Sequence, residues 1–431
     1  MKPQPANYVN NIPLTNVSQQ EMDKYYEIVN RRSLEANNGV IGQTKYLSLG
    51  DVTVKIENFS EELITPINTQ FAYVLRDAAD SYDVIFRIWN EEVKTYISDF
   101  AQDIKNIFLS TKKASNIELF LVQRDGGCTT GTSASLQTSL CADCNCNIDA
   151  VLAKENASPA RTATTVTLAY DPKSKTAYLI EKISLSTKET PEIELLLEDD
   201  ILSAYDPKNK IAYFSAKEIS TKHLSKMGHL FVRLINKMVK TPTSALVHSA
   251  AVGIDNTGVL ICGRAERGKS TLAISCLLDG FQYVSDDYLI LTKTDQLYAY
   301  PIYSIIYLSM QAQEKMKEPG ATFLYDNHNG KKHALDISSH HDKFVEKLPI
   351  KIAIFPNIAD IEKPTIEPIH GGQAIAQLVH STAIQMGERK NPKYFLDLMS
   401  LVSDLDFYQT LTPLKIRSSV LLIPETSAFF V

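Results

Sequence analysis

The stretch GRAERGKST at 263–271 sets Gly263, Gly268, Lys269 and Ser270 at the spacing of a phosphate-binding loop, G-x-x-x-x-G-K-[ST]. Such a turn aims backbone N–H groups and a helix N-terminus at phosphate oxygens, while the lysine adds a point charge and the hydroxyl can ligate Mg²⁺. On this spacing Gly263, Arg264, Ala265, Glu266, Arg267, Gly268, Lys269, Ser270 and Thr271 line a nucleotide cradle. Glu266 is the odd member, since its charge repels a nearby phosphate unless Arg264 or Arg267 neutralises it. A second signal follows at VSDD, 284–287, where Asp286 and Asp287 are adjacent carboxylates. Such a pair can divide the work of phosphoryl transfer, one carboxylate on the metal and one accepting the proton of an attacking hydroxyl, a task worth roughly 10²–10⁴ in rate. Taken alone, the same pair is a solvated turn.

The elements around these residues must bring them together. An apolar strand, Val259–Cys262, leads into the loop. After it Leu272, Ala273, Cys276 and Leu277 fall on one helix face, and Gly280 ends the helix. Phe281–Ser285 then returns as a strand, and in a parallel unit its C-terminal end lies beside the cradle. Upstream, VHSAAVGI, DNTG and VLICG read as a hairpin. If Ile254 pairs with Val259 across a four-residue loop, His248 falls opposite Ala265, next to the cradle. A histidine at a strand start is as readily structural as catalytic.

Residues 1–20 are polar and aperiodic and read as a mobile tail; residues 21–240 form a β-rich region, and 241–431 the unit with the glycine loop. In the β-rich region Val84, Phe86 and Ile88 alternate as in a half-buried strand. LAYDPKSKTAYLIEKIS and SAYDPKNKIAYFSAKEIS form a near-repeat, read as two hairpins stacked in one sheet. Between them and the first strands lies a Cys-containing loop, 126–165, whose Cys128, Cys141, Cys144 and Cys146 can supply thiolates to Zn²⁺, although the spacing lacks paired C-x-x-C knuckles. Leu224, Met227, Leu230, Phe231, Leu234, Ile235 and Met238 make one helical stripe, ended by Pro242. Asn391-Pro392 caps and opens a helix through Leu405, and HGGQ at 370–373 is a helix-start turn. The polar stretch 317–345, with Lys331, Lys332, His340 and His341, reads as a surface loop or a lid over substrate.

Forty-four basic against 50 acidic residues give a net charge of -6, which argues against nucleic acid or an anionic membrane as partner. No apolar run reaches the roughly 18–20 residues of a membrane span, and MKPQPANYVNNIPL has no signal-peptide core, so a cytoplasmic protein with reduced thiols is expected. A homo-oligomer stays open.

His248, the hairpin, Gly263–Thr271, Gly280-Phe281 and Ser285-Asp286-Asp287 together resemble the HPr kinase/phosphorylase family and its solitary relatives, which share a phosphoenolpyruvate-carboxykinase-like P-loop fold. The likeness is specific over about residues 245–291. It implies an α/β, P-loop kinase-like C-terminal domain behind a β-rich α+β N-terminal region, and ATP-dependent phosphorylation of a serine hydroxyl on a protein or peptide. By the same resemblance Lys269 and Ser270 carry the phosphates and Mg²⁺, Asp286 is the general base, Asp287 supports the metal, and His248 sits by the acceptor. Solitary relatives are associated with modification of ribosomally made peptides. Glu266 replaces the family's glycine, and the glycine- and Arg-Asp-rich signature of bifunctional members is not found after the aspartates. The alternative reading is a nucleotide-binding regulatory or scaffold protein with weak or no transfer.

Overall fold

Short runs of alternating apolar residues punctuated by Gly, Asn and Asp build strands, and the longer amphipathic runs between them build helices. The computed structural model describes residues 19–58, 63–91, 119–123, 127–131, 166–171, 176–181, 201–216, 224, 228–263, 267–310, 312–313, 321–327, 332–359, 365–386, 388 and 391–413. In chain order these form α1 (Gln19–Glu35), β1 (Gln43–Leu49), β2 (Val52–Asn58), α2 (Ile64–Gln70), β3 (Leu75–Arg76), β4 (Val84–Asn90), β5 (Leu119–Gln123), β6 (Gly127–Gly131), β7 (Val166–Asp171), β8 (Thr176–Glu181), β9 (Ile201–Asp206) and β10 (Ile211–Ala216). The second half adds α3 (Val232–Val239), β11 (Ser244–His248), β12 (Ala250–Ile254), β13 (Thr257–Ile261), α4 (Lys269–Leu278), β14 (Gln282–Ser285), β15 (Tyr288–Lys293), β16 (Leu297–Tyr300) and β17 (Ile305–Ser309). It closes with β18 (Thr322–Asn327), β19 (Lys332–Asp336), β20 (Leu348–Ala359), β21 (Thr365–Pro368), α5 (Gly371–Gln385), α6 (Pro392–Leu401) and β22 (Asp406–Pro413). The fold is mixed α/β with several sheets. No helix among the described residues is long and apolar enough to cross a membrane.

Two compact units share the chain: Met1–Gly42 with Phe86–Glu218, and Gln43–Ile85 with Ile219–Val431. A linear boundary near residue 240 does not contain this exchange, because 43–85 interleaves with the C-terminal half. In the first unit the Tyr26 hydroxyl donates to Tyr205 O at 2.6 Å and Arg32 pairs with Glu91 at 3.1 Å. The near-repeat does give hairpins of matching register, Asp171↔Thr176 and Asp206↔Ile211, but in separate sheets: among the described residues β7 and β8 pair only with each other. In the second hairpin the Asp-Pro turn fixes the pairing locally and not its outer neighbours. Asp206 shows how, its Oδ1 accepting from Lys208 N and Asn209 N at 3.0 and 3.1 Å. β6 carries Cys128 opposite Val122 inside the stretch expected to be a loop.

In the second unit the sheet order is β11-β15-β16-β20-β13-β12-β14, with β22 on β20 and β21 on β22. β13, β20 and β22 run parallel, whereas β12 is antiparallel to both β13 and β14. β13 and β14 therefore point the same way with one strand between them, so Ile261 and Ser285 end at the same rim, roughly 10 Å apart at ordinary strand spacing. The β12–β13 hairpin turns in two residues: Asp255 and Asn256 both adopt positive φ, 47° and 60°, and Ile254 faces Thr257. The four-residue loop and the pairing of Ile254 with Val259 are thus corrected. So is the place of His248, because the strand bends at Ser249 and His248 pairs across to Tyr288.

α4 packs Leu272, Ala273, Cys276 and Leu277 into a core shared with Val252, Val259 and Ile261 of the sheet and Ile306, Leu308 and Leu335 of the small β17-β19-β18 sheet. Its end is a Schellman motif: Gly280 N donates to Leu277 O and Phe281 N to Cys276 O, with Gly280 at φ 91°. Asn391 caps α6 through Oδ1, which accepts from Tyr394 N at 3.1 Å, though the helix stops at Leu401 rather than Leu405. The polar stretch expected as a loop contains β18, β19 and a 3₁₀ turn, Ser338–Lys343.

The cross-strand pair Gly253 and Gly258 leaves room for Leu348 and Ile350 of β20. A Cβ on Gly258 would come within 2.6 Å of Ile350 Cδ1 and 2.7 Å of Pro349 O. We expect Gly258→Ala to destabilise the protein by about 1–3 kcal/mol in urea unfolding, the usual cost of overpacking. An unchanged midpoint would show that β20 moves aside freely.

Candidate active site

β13 delivers the chain to Gly263, at φ 128°, and α4 starts after Gly268, at φ 92°. These left-handed backbones suit glycine. Residues Arg264, Ala265 and Glu266 lie outside the described residues. No side chain caps the start of α4, so its first-turn N–H groups face the space beside the loop. Lys269 is buried and its Nζ donates to Gly263 O at 2.9 Å, which ties the two ends of the loop together. Arg267 reaches Asn357 Oδ1 at 2.7 Å on the exposed side. Thr271 sits in the first turn, where its carbonyl accepts from Ser275 Oγ at 2.9 Å.

The aspartates sit where the chain passes from β14 to β15. Ser285 fixes the bend, its hydroxyl donating to Tyr288 O at 2.6 Å and accepting from Asp287 N at 3.4 Å. Asp286 turns inward, 2 % exposed; Ser270 hydrogen-bonds it, and Oδ2 is left without a partner. Asp287 is a quarter exposed and takes a histidine on each oxygen: His248 Nε2 lies 2.8 Å from Oδ1 and His229 Nδ1 3.5 Å from Oδ2. α5 braces His248 from behind, since Thr382 Oγ1 accepts from its backbone N–H at 3.2 Å.

Electrostatics split the pair. Burial, then repulsion from Asp287, pushes the Asp286 carboxyl up to about 7, against the opposing bond from Ser270. Burial pushes Asp287 the same way, yet the charge and hydrogen bond of His248, then His229 and Lys269, hold it well below the ordinary carboxylate range. Burial lowers His229 to about 4, so its ring is neutral at neutral pH. Burial also lowers Lys269, while Asp287 and Asp286 act the other way. Lys332 on β19, within the stretch first read as a loop or lid, lies close enough for its field to act on Lys269, Asp286 and His229.

His229 is the addition that sequence reasoning missed, and Lys332 was singled out only as part of a surface loop or lid. His229 was hidden inside an apparent helical stripe that reaches back to Leu224. The helix begins only at Val232, because Gly228 and Phe231 have positive φ and side chains from elsewhere satisfy the backbone between them. No local signal marks that. Of the candidate zinc ligands, Cys128 lies on β6, and Cys141, Cys144 and Cys146 are outside the described residues; among the described residues no group of three or more His, Cys, Asp or Glu side chains has metal-holding geometry.

The Ser270 hydroxyl and the ionised Asp287 carboxylate are hard oxygen donors of the kind Mg²⁺ takes, and the orphaned Asp286 Oδ2 is left beside them for a proton. No family model and no curated protein matches the chain. Among solved structures it is similar to the HPr(Ser) kinase/phosphatase from Coxiella burnetii, at 17% identity and a TM-score of 0.22, over 39% of this chain and 86% of that one. The chemistry of the site stands on its own geometry.

A carboxyl raised to about 7 from an ordinary 3.8 holds its proton in the native state where the unfolded chain has lost it. Stability therefore falls as pH rises from about 4 to about 7. Asp286→Asn removes this dependence, so its gain in melting temperature over wild type should be larger at pH 8 than at pH 5, by roughly 3 °C or more. Equal gains at both pH values would contradict the raised carboxyl.

Proposed function

We propose that this protein transfers the γ-phosphoryl group of ATP to a serine hydroxyl of a protein or peptide in the cytoplasm, without nucleic acid or membrane as partner. One observation carries the reading: Asp286, at the end of the strand beside the glycine loop and α4, is buried with its Oδ2 left without a partner, and burial together with Asp287 raises its carboxyl toward neutrality. A general base works best near the operating pH, and Asp286 has that property.

In this reading the N-terminus of α4 and Lys269 hold the phosphates. Mg²⁺, held by Ser270 and Asp287, would supply charge neutralisation on the phosphoryl oxygens. Ser270 gives its hydrogen to Asp286, which leaves its oxygen lone pairs for the cation. Asp286 Oδ2 takes the proton of the acceptor hydroxyl while the acceptor oxygen bonds to the γ-phosphorus. The bond from that phosphorus to the bridging oxygen breaks, and ADP leaves with the electron pair. Positioning and fixed charge do most of the catalysis in such a scheme. The preference for serine rests on the sequence resemblance alone, whereas the burial and raised carboxyl of Asp286 support the base, and the uncapped start of α4 beside Lys269 supports the phosphate end.

The test is transfer of label from γ-labelled ATP to serine-containing peptides in Mg²⁺, with phosphoserine identified in the product. We expect Asp286→Asn to lower the rate by about 10²–10⁴ with little change in nucleotide affinity. Equal labelling by the variant would remove Asp286 from its role, and no labelling of any serine peptide by wild type would overturn the reading.

A further inference from the structure

His229 lies outside the segment that carries the family likeness, yet its backbone and ring are held on several sides. The peptide groups on either side are pinned by side chains: the Tyr307 hydroxyl donates to Gly228 O at 2.7 Å, Leu230 N donates to Gln70 Oε1 at 2.9 Å, and the Tyr303 hydroxyl donates to Leu230 O at 2.7 Å. The far ends of these groups close on each other. Gln70 Nε2 lies 3.1 Å from the Tyr325 hydroxyl, and the hydroxyls of Tyr325 and Tyr307 are 2.9 Å apart. A carbonyl can only accept, so the Tyr307 proton goes to Gly228; Tyr325 then donates to Tyr307, and Gln70 to Tyr325. The orientation of every donor is fixed in one ring of hydrogen bonds.

The imidazole is enclosed by Tyr303, Tyr288 and Tyr307, with ring centroids at 4.4, 5.0 and 4.8 Å. Its Nε2 is buried without a partner, so Nδ1 toward Asp287 is the ring's polar contact among the described residues. An orphaned N–H costs more than an orphaned lone pair. The proton is therefore placed on Nδ1, on the side of Asp287 Oδ2 3.5 Å away. An apolar ring would fill this cage at least as well, and only the contact with Asp287 calls for histidine.

We infer that His229 is a positioning residue for the proposed transfer: by holding Asp287 Oδ2 while His248 holds Oδ1, it fixes the plane of that carboxylate. Asp287 stays directed at Lys269 and the metal side, and Asp286 stays the carboxylate that meets the acceptor. This inference rests on the phosphoryl-transfer reading.

Its test uses the full chain and Mg·ATP hydrolysis, with water as acceptor, alongside calorimetric binding of Mg·ATP. An asparagine at 229 offers an amide N–H near the place of Nδ1, and a glutamine offers one near Nε2. Both are polar and close in size to histidine. His229→Gln and His229→Phe should each lower kcat about tenfold or more with KM for Mg·ATP within about threefold, and His229→Asn should recover most of the loss, the scale expected for a group that orients a ligand. Equal kcat for the Asn and Gln variants, an unchanged kcat for Gln, or a loss confined to KM would overturn the inference and leave the transfer reading intact. A wild type that binds no Mg·ATP, or that binds it yet neither hydrolyses it nor labels any serine peptide, would overturn the transfer reading itself and this inference with it.

Discussion

Two carboxylates on consecutive residues, one buried and one only a quarter exposed, oppose each other's ionisation. The site is organised around that constraint. Two histidines and Lys269 stabilise the charge on Asp287, and the repulsion that results, added to burial, leaves Asp286 able to hold a proton near neutral pH. The strand bend at Ser285 makes the arrangement possible, because it sends successive side chains into different surroundings. A straight strand would also separate them, but onto opposite faces of the sheet and away from α4.

The bend is supported by parts of the chain far apart in sequence. β11 and β15 pair on one side of it and β12 and β14 on the other, so the kink at Ser249 answers the kink at Asp286-Asp287. Thr382 of α5 fastens the end of β11, and Gln70 of α2 fastens the turn that carries His229. The interleaving of residues 43–85 with the C-terminal half follows from contacts of this kind: Ser304 N donates to Gln70 O at 2.7 Å, and Ser304 Oγ accepts from Tyr73 N at 2.9 Å.

What was legible in the sequence was local. Gly268, Lys269 and Ser270 open a helix that Gly280 closes, Asn391 caps another, and His370 starts a third, because each depends on residues within one turn. Register across a turn was less legible. DNTG permits a two- or a four-residue loop, and only the positive φ of Asp255 and Asn256 decides for two. His229 was illegible, since its backbone is held by Gln70 from 160 residues away and by tyrosines whose spacing carries no period. Lys332 was hidden for a similar reason: HNGKKH looks solvated until β19 pairs with β17 and carries that lysine toward the aspartates.

The division of charge between the two aspartates can be observed directly by ¹³C NMR of the full chain with labelled aspartate carboxyls, titrated from acid to mildly basic pH. One carboxyl should titrate near pH 7 and vanish from the spectrum of Asp286→Asn, while the signal lost in Asp287→Asn stays ionised throughout. If every aspartate carboxyl is already ionised by about pH 5, the ordinary behaviour of exposed carboxylates, the pair is not split and the account of the site is wrong.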